Sequence, residues 1–121
     1  MLEIKVTLDK TEAKDYLEQH EVRIDLLDKL VMHATESGKT CGFGVISIGS
    51  GNAEIDDICC ENDMDYIMGK SLLNLIDNAG IETVYCSNER IAPLLLKLRF
   101  KEDGQAGRFI LNLAGYFGGG C

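Results

Sequence analysis

Residues 53–76, AEIDDICCENDMDYIMGKSLLNLI, decide how the rest of the chain is read. Ile55, Ile58, Cys59 and Cys60 make an apolar, β-like run. A polar turn comes next, then a lone glycine, Gly69, at the opening of an amphipathic segment with Met68, Leu72, Leu75, Ile76 and Ala79 on one face. A strand that turns into a helix start presents free backbone N–H groups and the positive end of the helix dipole. That geometry suits an anion such as a phosphate. Within the strand, Ile55 and Ile58 are separated by Asp56 and Asp57, which breaks strict alternation. A β-bulge restores both isoleucines to one face.

Working outward, residues 41–48, CGFGVISI, read as a strand that pairs with 53–60 across the turn Gly49-Ser50-Gly51-Asn52. Downstream, Gly80 stops the helix, and ETVYC (82–86) is a short strand. Ser87 or Asn88 caps a further helix with Ile91, Leu94, Leu95 and Leu98 inward and Pro93 near its start. Residues 99–103 and 108–117 read as a final antiparallel hairpin. Upstream, Leu2, Ile4, Val6 and Leu8 alternate with polar residues as a strand with one buried face. Asp9 or Thr11 caps the helical segment after it. Residues 11–37 read as two helices broken near His20–Arg23, with Leu27, Leu30, Val31 and Ala34 as an apolar stripe and Gly38 as the C-terminal stop. The order β-α-α-β-β-α-β-α-β-β gives an α+β mixed sandwich. Its mixed sheet has a central parallel strand pair and helices on both faces.

The 121 residues fit a single domain, with residues 1–38 as a strand plus helical part, 39–117 as the motif-bearing core and 118–121 as a mobile tail. A net charge of −8 repels phosphate backbones and anionic lipid, which argues against nucleic acid and membrane surfaces as partners. With no signal peptide or long apolar span visible, the cytoplasm is the expected location. The five cysteines (Cys41, Cys59, Cys60, Cys86 and Cys121) are odd in number and lack CxxC spacing, so they read as reduced thiols. Three of them, Cys59, Cys60 and Cys86, fall near the ends of adjacent strands. Their spacing makes a poor metal set, and no metal is expected. His20 and His33 fall in the helical third with no partner pattern.

In this arrangement the chain resembles the GNAT superfamily of N-acetyltransferases over Lys39–Phe117. There a strand leads into a loop Arg/Gln-x-x-Gly-x-Gly/Ala and a helix. Residues 53–73 align without a gap, placing Met64 on the Arg/Gln, Ile67 on the first glycine, Gly69 on the second, and Leu72-Leu73 on the leucine pair. A second family segment, Asn-x-x-Ala-x-x-x-Tyr-x-x-x-Gly-Phe, lies over NERIAPLLLKLRF (88–100). Asn88 and Phe100 match it, with Ile91, Leu95 and Arg99 at the Ala, Tyr and Gly positions.

The resemblance implies acetyl-CoA as cosubstrate and direct attack of an amine, on a small molecule or a peptide, at its thioester. Backbone groups of the strand at Ile58, Cys59 and Cys60 would hold the pantetheine arm. Met68, Gly69 and Lys70 would meet the pyrophosphate, with Asn88 on the arm. Asp57 or Glu54, on the strand that often carries the family's general base, are the catalytic candidates. Each has a plain alternative: solvated carboxylates, a helix-start glycine for close packing, a solvated lysine, an N-cap asparagine. The family tyrosine often acts as general acid, and Leu95 has no proton to give. Apolar residues at Met64, Ile67 and Leu95 point to the alternative of a catalytically inactive relative serving in ligand sensing or protein association. The apolar last strand offers an edge for a homodimer.

Overall fold

A computed structural model describes residues 1–61, 63–104 and 107–117. Its elements are β1 (Leu2–Thr7), α1 (Lys10–Gln19), β2 (Leu30–Glu36), β3 (Lys39–Ile48), β4 (Asn52–Cys60), α2 (Asp65–Asn78), β5 (Thr83–Cys86), α3 (Ala92–Lys97), β6 (Lys101–Glu102) and β7 (Phe109–Asn112). A 3₁₀ turn over Glu89–Ile91 leads into α3. The sheet runs β1-β2-β3-β4-β5-β7-β6, and β4–β5 is its parallel pair. The remaining neighbours are antiparallel. The mixed sheet with helices expected from the sequence is therefore the architecture observed. The proposed tail, 118–121, lies outside the described residues. Among those described, no helix is long and apolar enough to cross a membrane.

Helix α1 begins where expected, with the Asp9 carboxylate accepting from the Thr11 amide at 3.1 Å. It ends at Gln19, and the second predicted helix does not exist. Leu30–Glu36 is a strand between β1 and β3. Buried on both faces, it carries Val31, Met32 and Ala34 in the core while Leu27 is 74% exposed. Burial of consecutive residues blurs period two, and the accidental i, i+3, i+4, i+7 spacing then imitates a helix. Gly38 is correspondingly a hairpin residue. Ser37 and Gly38 both have positive φ, 53° and 83°, the signature of a tight turn matching strand twist. His33 moves with the strand, stacking on Phe43 at 4.5 Å between ring centroids.

Two cores flank the sheet. One packs Ala13 and Leu17 of α1 on Val31, Phe43, Val45 and Cys59. The larger holds Met68, Leu72, Leu73 and Ile76 of α2 and Leu95 and Leu98 near α3 against Ile46, Ile55, Ile58 and Val84. The β4 bulge is present: Val45 pairs with Asp57 and Ile46 with Ile55, leaving Asp56 as the extra residue. Ile55 and Ile58 consequently enter the same core. The apolar last strand is not an edge, because β7 lies between β5 and β6. Among the described residues the free edges of the sheet are β1 and the two-residue β6.

Candidate functional site

The bulge at Asp56 coincides with a parting of the sheet. β4 and β5 pair at Asn52–Thr83, Ala53–Val84 and Glu54–Tyr85, and then separate. β4 continues to Cys60 against β3 alone, so its other edge faces a cleft. A cavity of about 580 Å³ fills the mouth of that cleft. Its lining includes Glu54, Asp56 and Asp57 of β4, Asn88 and Arg90 after β5, and Arg23 of the segment after α1.

The chain's own side chains cross this cleft. Asn88 caps the 3₁₀ turn by accepting from the Arg90 amide at 3.1 Å, and its Nδ2 donates to the Asp56 carbonyl at 3.1 Å. The Arg90 guanidinium pairs with the Asp57 carboxylate and donates to the Ile58 carbonyl at 3.2 Å. Two backbone acceptors that the parting bares on β4, the Asp56 and Ile58 carbonyls, are thus taken by Asn88 and Arg90. Asp57 is 2% exposed, and its carboxylate also accepts from the Ile58 amide at 2.8 Å. Burial pushes its pKa above the ordinary carboxylate value, opposed by Arg90 and the Ile58 amide. Asp56 points elsewhere, toward Lys29 at 3.3 Å and Ser47 at 2.6 Å. Glu54, the other catalytic candidate, is exposed and lines the same cavity.

The anion corner is built differently from the expectation. Helix α2 begins at Asp65, ahead of the two glycine positions of the motif at Ile67 and Gly69. The Met68 amide already donates to the Met64 carbonyl at 2.9 Å, and Gly69 and Lys70 lie in the second turn, with their amides directed at carbonyls four residues back. Gly69 is a packing position: a Cβ there would stand 2.6 Å from Leu98 Cδ1. Met68 is fully buried, and Met64 joins the same core from its rim. The Lys70 ammonium sits 4.5 Å from the Tyr116 ring centre and 5.3 Å from that of Phe117. A first helical turn can offer N–H groups only at Asp65, Tyr66 and Ile67. There Asp65 brings a carboxylate whose Oδ1 is buried and unpartnered among the described residues. A depression of about 250 Å³ at this corner sets Asp63 and Asp65 against Lys97.

The three strand-end cysteines do not form one group. Cys59 faces the α1 core, whereas Cys60 and Cys86 face the α2 side. Burial pushes the Cys86 thiol up to about 11 and the Cys60 thiol higher still. Among the described residues no cluster of His, Cys, Asp and Glu is placed to hold a metal ion.

Sequence reasoning located Asp57, Glu54 and Asn88 but missed Arg90. The signal was available as an arginine two residues beyond a capping asparagine, opposite Asp56-Asp57 on the neighbouring strand.

No family model matches the sequence, and no curated protein does. The fold has clear likenesses. One is the ribosomal-protein-S18-alanine N-acetyltransferase of Escherichia coli (TM-score 0.70, 16% identity, 92% of each chain covered). Another is a GNAT family acetyltransferase of Elizabethkingia anophelis solved with acetyl-CoA bound (0.65, 13%, 93% of this chain and 98% of that one). A third comes from Brucella melitensis, also in complex with acetyl-CoA (0.65, 13%, 93% and 88%). Spanning nearly the whole of each chain, these likenesses establish that the protein has the fold of the GNAT N-acetyltransferases.

Proposed function

We propose that this chain is a non-catalytic user of the GNAT fold, holding a small cationic ligand in the β4–β5 cleft without acetyl-CoA. The observation that carries this reading is the anion corner. Amides at 68–70 lie within α2, Gly69 is covered by Leu98, and the helix start bears Asp63 and Asp65. A diphosphate needs N–H donors and positive charge, and carboxylates there repel it. The residues present do not fit the diphosphate of coenzyme A. The cleft itself favours a cation: with Asp57 paired to Arg90 and Asp56 to Lys29, Glu21, Glu54 and Glu89 remain in its lining against Arg23.

Isothermal titration with acetyl-CoA and with coenzyme A tests the reading. No saturable heat is expected at millimolar cofactor. Binding in the micromolar range overturns it.

A second reading, acetyl transfer to an amine, rests on the parting of β4 from β5 and on exposed Glu54 in the cavity. It requires Arg90 to leave the Ile58 carbonyl so that a pantetheine arm can take its place. Release of coenzyme A thiol from acetyl-CoA, dependent on an added amine and lost in Glu54→Gln, would establish this second reading.

A further inference from the structure

The long free edge of the sheet is β1, and its backbone pattern is fixed by its neighbour. The Ser37 amide donates to the Met1 carbonyl at 3.1 Å, and β1 then pairs with β2 without a register shift. Hydrogen-bonded and non-hydrogen-bonded pairs alternate along an antiparallel ladder. Glu3, Lys5 and Thr7 therefore direct their backbone groups at β2. Leu2, Ile4 and Val6 direct theirs outward.

The residues on this edge read Leu2-Glu3-Ile4-Lys5-Val6, a pattern symmetric about Ile4 except that its two charges are opposite. We propose that β1 pairs with β1 of a second copy of this chain, antiparallel about a two-fold axis through Ile4. Ile4 then faces Ile4, and Leu2 faces Val6 on both sides of the axis. All three pairs are hydrogen-bonded. Between them, Glu3 of each copy faces Lys5 of the other. Within one chain these two side chains already meet at 2.9 Å, so pairing redirects both charges across the axis. Neighbouring two-fold registers that keep Leu2, Ile4 and Val6 hydrogen-bonded place Glu3 on Glu3 or Lys5 on Lys5, which opposes them. The second copy also covers the remaining surface of partly buried Leu2 and Ile4 and that of Val6, which is 43% exposed. The contact is isologous, so it closes at two copies and removes the open edge.

Sedimentation velocity of the full chain over a concentration series tests this. A reversible dimer is expected, weakening with salt. Lys5→Glu should weaken it about tenfold or more, since both cross-axis pairs become repulsive. The double variant Glu3→Lys/Lys5→Glu, with unchanged net charge, should restore it. The two side chains are 51% and 74% exposed, so neither change strains the fold. Hydrogen exchange should show the amides of Leu2, Ile4 and Val6 protected in the wild type and fast in Lys5→Glu. A monomer at all concentrations overturns the proposal. So does a dimer indifferent to Lys5→Glu, or one that the double variant fails to restore.

Discussion

Replacing Arg90 by alanine probes the closure of the cleft most directly. Asp57 is 2% exposed, while the Arg90 side chain keeps 50% of its surface in water. Removing one partner of a wholly buried ion pair costs about 3–5 kcal/mol. Here solvent already screens the guanidinium, so the loss should be roughly 1–3 kcal/mol, including the bond to the Ile58 carbonyl. For a domain of this size that corresponds to a fall in Tm of roughly 4–12 °C. The pH dependence carries the diagnosis. Burial holds the Asp57 carboxyl above its ordinary value and Arg90 pulls it down, so the variant raises it further. A carboxyl whose folded-state pKa lies above the unfolded one costs stability as pH rises from the unfolded value through the folded one. The deficit of Arg90→Ala should be small near about pH 4 and complete near about pH 7. Urea melts across that range, run with Asp57→Asn and the double variant, measure it. Asp57→Asn leaves only a solvated guanidinium behind and should cost less, and the double variant should recover much of the Arg90→Ala loss. An equal deficit at both pH values, or Asp57→Asn costing as much as Arg90→Ala, refutes the reasoning.

The packing around the cleft sets two further outcomes. Gly69→Ala gains roughly 0.5–1 kcal/mol in helix propensity but forces a methyl against fully buried Leu98, an overpacking worth about 1–3 kcal/mol. Urea denaturation should show a net loss of about 1 kcal/mol, and a stabilised variant would mean that Leu98 does not cover this position. Cys86, fully buried and with its thiol raised by burial, should be alkylated at neutral pH far more slowly in the folded chain than in urea. Site-resolved mass spectrometry reads this, and rapid labelling of Cys86 would contradict the burial described.

The stretch 53–76 was legible because each feature there has a local cause. Two isoleucines out of step require a bulge, and an apolar face of α2 requires a sheet beneath it. β2 was not legible, because a strand between two others is apolar on both faces and loses the alternation that identifies strands. The positions of Glu54, Asp57 and Asn88 around one cleft followed from the parallel pair. Their partners did not, since Arg90 reaches Asp57 across a gap that exists only once β4 and β5 have parted. Gly69 shows the limit of motif spacing. The glycine stands in register with the family pattern, yet its missing Cβ accommodates Leu98, a contact set by how α2 meets the end of α3.

The early start of α2 and the crossing of the cleft support each other physically. A helix beginning at Asp65 draws Met68 and Leu72 into the core beside Ile58. Gly69 then approaches Leu98 at the end of α3, and α3 continues from the 3₁₀ turn over Glu89–Ile91. From that turn Asn88 and Arg90 reach the Asp56 and Ile58 carbonyls, which would otherwise face the cleft without protein partners. A loop lengthened to free amides at 68–70 would surrender helical bonds at the start of α2 and loosen the seat of Leu98. On the non-catalytic reading proposed above, restoring single motif letters, such as tyrosine at Leu95, therefore does not by itself rebuild a diphosphate cradle. Leu95 is fully buried, and a tyrosine there would have to lodge its hydroxyl in the packed core, while Asp63 and Asp65 still oppose the anion.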